Sequence, residues 1–251
     1  MSVVQSTVAD GVGRITLNRP ERMNAITTEL ARGLERALDE LSGEPAVNVI
    51  VLGGAGKNFC AGGDVAEVES LRLAGPEALR TLFDAFRRAC DAVATVEVPV
   101  VAAVEGVAMA GGFELMQAAD IVVVSDDAKI ADNHINFGMI PGGGSTQRLP
   151  QLVGHQIALG LLLSGDRLNG LDAVRLGLAY RSFASQDFDK GVDQFVSALA
   201  GRDHGALVAI KKLVGGARPR PPAQGLDDEI SAVVAHITRR GVDDFSRIGT
   251  S

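Results

Sequence analysis

At 251 residues, 46% of them hydrophobic, the chain is long enough to fill the core of one large domain. Its formal net charge is -7, and its 24 Lys and Arg are scattered rather than gathered into a stripe, which argues against a nucleic-acid partner. Cys60 and Cys90 give neither a disulfide framework nor paired metal spacing; the first residues lack a secretory pattern, and the longest apolar run, 98–112, is broken by Glu105 and too short to span a bilayer, so a cytoplasmic protein with no metal and no membrane attachment is expected.

In chain order, β-formers over 3–8 and 13–17 flank Asp10-Gly11, a hairpin signal. Residues 27–41 carry Leu30, Leu34, Leu38 and Leu41 on one helical stripe. The β-branched run 48–52 reads as a strand of a parallel sheet buried on both faces. A helix is expected over 77–94, then a strand over 100–104 with Pro99 just ahead of it, a short helix from Gly111, and a strand over 121–125. Strands alternating with helices indicate an α/β domain with right-handed crossovers. Beyond Pro141 the pattern is helical: 146–153, 155–163, 170–176, 188–200, 204–214 and 227–239, with a break at Ala217-Arg-Pro-Arg-Pro-Pro222. The expected plan is an α/β core over residues 1–190 and a helical part over 191–251 that packs on itself or on a neighbouring subunit.

Two glycine-rich turns follow strands in this plan, Lys57-Asn-Phe-Cys-Ala-Gly-Gly-Asp-Val65 and Gly106-Val-Ala-Met-Ala-Gly-Gly-Phe-Glu114. Ligands of open α/β sheets collect at the carboxyl ends of strands, and small residues there let backbone N–H groups approach them closely. Neither turn matches a common phosphate cradle. A remaining use is a pair of N–H donors converging on a carbonyl oxygen, which stabilises an enolate or a tetrahedral oxyanion. Glycines that serve only tight turns are the plainer alternative.

Phe59-Cys-Ala-Gly-Gly-Asp-Val65, the Ala-Gly-Gly-Phe-Glu114 turn, Ala119-Asp-Ile121, and Gly138-Met-Ile-Pro-Gly142 with Thr146-Gln-Arg-Leu149 together resemble the enoyl-CoA hydratase/isomerase (crotonase) superfamily. The opening Asn18-Arg-Pro-Glu-Arg-Met-Asn-Ala25 and the later Leu163-Ser-Gly-Asp-Arg167 and Ala173 to Leu178 segments fit the same pattern, so the resemblance runs from about Ile15 to Leu178. It implies a crotonase-like spiral of ββα units, with residues 191–251 driving assembly into a trimer or a dimer of trimers. It also implies an acyl-CoA substrate, with coenzyme A present as part of the thioester and no prosthetic group. The thioester oxygen would then lie between the N–H groups of Gly63 and Gly111. Arg22, Met23, Ala25, Lys57, Ala61, Gly62, Gly63, Asp64 and Val65 would hold the coenzyme part, and Met109, Ala110, Phe137, Gly142 and Gly143 would line the acyl pocket.

Hydration of a 2-enoyl thioester needs a base for water and an acid for the α carbon. The resemblance puts Glu114 at the first of the two glutamates its hydratases use, three residues beyond Gly111 on the short helix. The second is missing, and His134 occupies its place. An imidazole both accepts and delivers protons near neutral pH. Hydration by Glu114 and His134 is therefore the leading expectation. Double-bond isomerisation, hydrolysis of a β-diketone or a thioester with His134 activating water, and a non-catalytic CoA-binding paralogue remain as alternatives. Asp64 and Asp120 are expected to cap turns, Asp132, Asn133 and Asn136 to orient His134 or to shape a turn, Ser145 or Thr146 to cap the helix that follows, and Arg148 to anchor that helix by an ion pair. His155, His204 and His236 are read as surface or packing residues.

Overall fold

The computed structural model describes residues 2–217 and 223–239. The expected hairpin joins β1 (Val4–Ala9) and β2 (Val12–Leu17), with Asp10 and Gly11 both at positive φ (51° and 79°), as a two-residue turn matched to strand twist requires. From β2 onward the pairing is parallel, through β3 (Val49–Gly54), β4 (Val100–Val104), β6 (Ile121–Ser125) and β8 (Arg181–Phe183). The sheet order is β1-β2-β3-β4-β6-β8.

Helices cover both faces. On one face lie α1 (Thr28–Ser42), α3 (Pro76–Thr95) and α4 (Gly111–Ala118). The Thr27 side chain accepts from Leu30 N and starts α1, which buries the leucine stripe read from its spacing. Pro76 sits in the first turn of α3, where its missing N–H costs nothing. On the other face α8 (Phe188–Ala200) lays Phe188, Val192 and Val196 on Val12, Val49, Val51, Val101 and Val123. Residues buried on both sides explain why β3 and β4 read as unbroken β-branched runs.

Several elements depart from the sequence reading. Helix α2 (Val65–Ala74) has a weak apolar stripe, with Val68 its one buried residue, so periodicity does not reveal it; Asp64, expected to cap a turn, is its N-cap and accepts from Ala66 N and Glu67 N. Strands β5 (Val107–Met109) and β7 (Lys129–Ala131) pair in a separate small parallel sheet and are too short to display alternation. Strand β3 runs on to Gly54, beyond the expected end at Leu52.

The remaining helices are α5 (Ser145–Val153), α6 (His155–Ser164), α7 (Gly170–Arg175), α9 (His204–Ala217) and α10 (Ala223–Arg239). Most of the expected break at 217–222 lies outside the described residues. Helix α10 buries Leu226 and packs Ile230, Val233, Val234 and Ile237 into the main core. It is tied to α3 by the Arg87–Asp227 ion pair, and His236 donates to Gly138 O. Among the described residues no helix is long and apolar enough to cross a membrane.

Candidate active site

The two glycine-rich turns lie against each other. Cys60 N donates to Val107 O at 2.9 Å and Met109 N to Cys60 O at 3.0 Å, so the first turn is zipped along β5. That pairing sets Gly62 beside Gly111: a Cβ added at Gly62, whose φ is +103°, would lie 2.8 Å from Ala110 Cβ, 3.0 Å from Met109 O and 3.3 Å from Gly111 N. A Cβ at Gly112 would meet Cys60 O at 2.1 Å. The glycines are there because two backbones touch.

The amides of this junction have defined directions. Ile26 N donates to Gly62 O and Asp64 N to Ile26 O, and alternation along an extended chain turns Gly63 N to the opposite side. Gly111 opens α4, where first-turn N–H groups have no partner inside the helix. Ala110, just ahead, holds φ 49° and ψ -118°, a conformation costly for a residue with a side chain, maintained by its N–H on Ala131 O at 3.0 Å.

Glu114 and His134 come together here. Every residue of α4 is buried, and the Glu114 side chain is 2% exposed. Its Oε1 accepts from Gly143 N at 2.7 Å and Ser145 N at 3.1 Å, while Oε2 stands 3.9 Å from His134 Nε2. On the far side of the imidazole, Nδ1 is 2.6 Å from Asp132 Oδ1. A carboxylate only accepts, so Nδ1 carries a proton and Nε2 faces Glu114. Of the roles expected for Asp132, orienting His134 is the one its contact serves. Asn133 and Asn136 lack such a contact: Asn133 Nδ2 lies 3.8 Å from Met109 Sδ, and Asn136 Nδ2 donates to Gly165 O.

Burial pushes the Glu114 carboxyl up to about 8; the His134 cation opposes this, and Glu229 and Asp132 add to it. For His134 burial disfavours the charge, but the charge of Asp132 and its hydrogen bond override it and carry the imidazole up to about 9. The two groups thus hold their last protons over adjoining pH ranges.

The loop after His134 is shaped by the same carboxylate. A Cβ at Gly143 would lie 2.2 Å from Phe86 and 3.0 Å from Glu114 Oε2, and one at Gly142 would meet Phe83 at 2.7 Å and Val233 at 2.8 Å. Neither Ser145 nor Thr146 supplies the side-chain cap expected for α5. Its N-cap is Gly144, and buried carboxylates from two other helices, Glu114 and Glu229, take the free amides. Arg148 is the ion-pair anchor its position suggested, donating to Asp91 at 3.0 Å and to Gly143 O at 2.6 Å. Phe137 lies in the 3-10 turn of His134.

The residues expected at the coenzyme part divide. Ala61 N donates to Met23 O at 2.9 Å, and Arg19 bonds both Ala25 O and Asp64, so 23–25 and 61–65 form one surface. Burial opposes ionisation of Asp64, yet Arg19 and the α2 amides hold its carboxyl below the ordinary value. Arg22 is exposed in the 3-10 turn 20–22. The ammonium of Lys57 is instead drawn to Glu105 (3.1 Å) and Asp189 of α8 (3.3 Å), and these partners raise its pKa. A cleft of about 490 Å³ adjoins this surface and is lined in part by Arg19, Arg32, Arg36 and Glu67. Arg32 and Arg36 were not singled out from the sequence; their spacing of four on one helix was the available signal.

Asp120 accepts from Val100 N at 2.8 Å and pairs with Lys211, as a structural residue should. His204 bonds Asn48, and Cys60 and Cys90 are buried free thiols pushed up to about 12 by burial. No group of three potential metal ligands occurs among the described residues.

A family model described as enoyl-CoA hydratase/isomerase matches residues 7–241. A peroxisomal Δ(3,5)-Δ(2,4)-dienoyl-CoA isomerase of Arabidopsis thaliana is 30% identical over 90% of this chain and 85% of its own length. A probable enoyl-CoA hydratase of Mycobacterium leprae is 31% identical over 91% and 92%. The crystal structure of an enoyl-CoA hydratase/isomerase from Xanthobacter autotrophicus Py2 superposes with a TM-score of 0.89 at 27% identity, covering 98% of this chain and 91% of that one.

Proposed function

The chain belongs to the enoyl-CoA hydratase/isomerase family, has a crotonase-like α/β fold and is an enzyme of acyl-CoA thioesters, and from that premise we propose that it hydrates a 2-enoyl-CoA. The observation that carries this reading is the line Asp132–His134–Glu114, with Glu114 Oε2 and His134 Nε2 3.9 Å apart beside the two glycine turns.

In the proposed reaction Gly63 N–H and Gly111 N–H hold the thioester oxygen as it gains enolate charge; one such donor is worth about 3 kcal/mol. Glu114 accepts a proton from water, whose oxygen bonds to the β carbon. His134 Nε2–H delivers a proton to the α carbon, so water is added across the double bond with no net change in the enzyme's proton count. Glu114 then returns its proton to His134 across the short gap between them. Asp132 is a positioning residue: it keeps the imidazole cationic and correctly turned.

Met23 to Ala25 and Ala61 to Val65 form the proposed seat of the pantetheine and adenine parts, with Arg22 at its edge. The cleft of Arg32 and Arg36 supports a phosphate site there, whereas Lys57 must leave two carboxylates to contribute. Met109, Ala110, Phe137, Gly142 and Gly143 are the proposed acyl lining. Exposed Ile157 and Leu163 on α6 and Ile210, Leu213 and Val214 on α9 support a homotrimer or a dimer of trimers, with residues 191–251 contributing to the contact. The reading is completed by a cytoplasmic location.

Similarity to a dienoyl-CoA isomerase favours a second reading, in which the same pair carries one proton between carbons of an unsaturated acyl chain. The test is the loss of enoyl-thioester absorbance with crotonyl-CoA and a longer trans-2-enoyl-CoA. Wild type removes it, Glu114→Gln abolishes the loss, and His134→Ala slows it strongly while thioester affinity stays near wild type. Wild-type rates in both variants would overturn the assignment.

A further inference from the structure

The turn after Pro141 presents four successive amide donors, and two buried carboxylates divide them alternately. Glu114 of α4 takes Gly143 N and Ser145 N; Glu229 of α10 takes Gly144 N and Thr146 N, the latter at 3.0 Å, and also the Thr146 hydroxyl. Glu229 is 6% exposed, on a helix distant in sequence from every motif of the site. A buried carboxylate is costly unless donors satisfy it, and these donors are backbone groups of the segment that aims Glu114.

We propose that Glu229 is a positioning residue for the proton-transfer pair: by holding two amides of the 143–146 turn it keeps the other two on Glu114 Oε1, leaving Oε2 free toward His134. Without Glu229, Gly144 N and Thr146 N are orphans in a buried turn, and the turn gains reason to rotate and offer them to Glu114. Each amide that reaches Oε2 weakens it as a base. The link also joins the C-terminal helix to the chemistry: α10 is fixed by Arg87–Asp227 and by His236 on Gly138 O, so its docking and the register of the turn are one event.

Glu229 also acts through its charge, which favours the protonated forms of Glu114 and His134. The groups facing the pair are Asp132 beside His134, Glu229 from α10, Cys90 from α3, and Arg148 from α5 through Gly143 O. Removing one anion from this set lowers the imidazole pKa.

The inference rests on Glu114 and His134 as the acid/base pair, and its test includes a measurement that needs no substrate. In full-length Glu229→Gln, the His134 ring titration followed by NMR is expected to fall by about half a unit. With crotonyl-CoA, kcat should drop about tenfold and KM should stay within about twofold. Glu229→Asp keeps the charge but is one methylene short of both amides, so it should lose kcat with the titration in place. Should Glu229→Gln fail to fold, that split in Glu229→Asp decides. An unmoved His134 titration in folded Glu229→Gln, or wild-type kcat in Glu229→Asp, would overturn the proposal. A wild type inactive on every enoyl thioester would sink the hydration reading while the titration still judged this one.

Discussion

Replacing Asp132 by Asn removes the negative charge that holds the imidazolium and leaves the volume nearly unchanged. The Asp132 contact at 2.6 Å carries His134 up to about 9 against a burial effect that pushes the other way. At pH 8 a group of pKa near 9 is about nine-tenths protonated. Without Asp132 only the charges of Glu114 and Glu229 oppose burial; were the ring to return to the ordinary value near 6.5 it would be about 3% protonated at that pH, so the supply of acid falls by up to about thirtyfold. The Asn amide can also donate to Nδ1, which holds that nitrogen as an acceptor and so disfavours the doubly protonated ring. The assay is kcat for loss of enoyl-thioester absorbance between pH 6 and 10. The variant should lose up to about thirtyfold at pH 8, and its alkaline limb should move down from near 9 toward the ordinary imidazole range. An alkaline limb that stays in place would refute His134 as the acid and Asp132 as its support.

Other expectations follow from the same geometry. Because Glu114 must shed a proton to act as base and His134 must keep one to act as acid, kcat should rise through about pH 8 and fall beyond about 9, a narrow alkaline bell that a plateau at pH 6 to 7 would contradict. Both folded-state pKa values lie above the unfolded ones, so the stability they contribute is complete below about 4.5 for Glu114 and 6.5 for His134 and is lost as pH rises through about 8 and 9. The wild-type melting temperature should therefore decline between about pH 6.5 and 9 in scanning calorimetry, and Glu114→Gln should flatten that decline and melt higher at pH 8 while losing turnover. Gly62→Ala places a methyl within 3.0 Å of Ala110 and Met109 at φ +103°, which should splay the two turns and lower kcat about 100-fold, measured with crotonyl-CoA.

Much of this architecture was legible because its residues repeat a pattern. Leucines at helical spacing gave α1, β-branched runs gave β3, β4 and β6, and Asp10-Gly11 gave the hairpin. Elements whose partners are distant were not legible: β5 and β7 exist by pairing with each other, and α2 stands mainly on its Asp64 cap. At the site, Glu114 and His134 were found by motif order, and the structure brings them within 3.9 Å of each other. Capping of α5 was misassigned because local sequence offers Ser145 and Thr146, whereas the acceptors come from α4 and α10. Glu229 carries no motif; its place is a product of tertiary packing, as are the cleft arginines and the pull of Glu105 and Asp189 on Lys57. Local capping and spacing rules cannot see groups that meet across the fold.

The most direct test of Glu114 and His134 as a hydration pair is turnover in water enriched in heavy oxygen, with mass spectrometry of the products. Hydration predicts one labelled oxygen on the β carbon of an intact CoA thioester, lost in Glu114→Gln and His134→Ala. Label in a free carboxylate with release of CoA, or an unlabelled thioester whose double bond has moved, would contradict the account and assign the pair to hydrolysis or isomerisation.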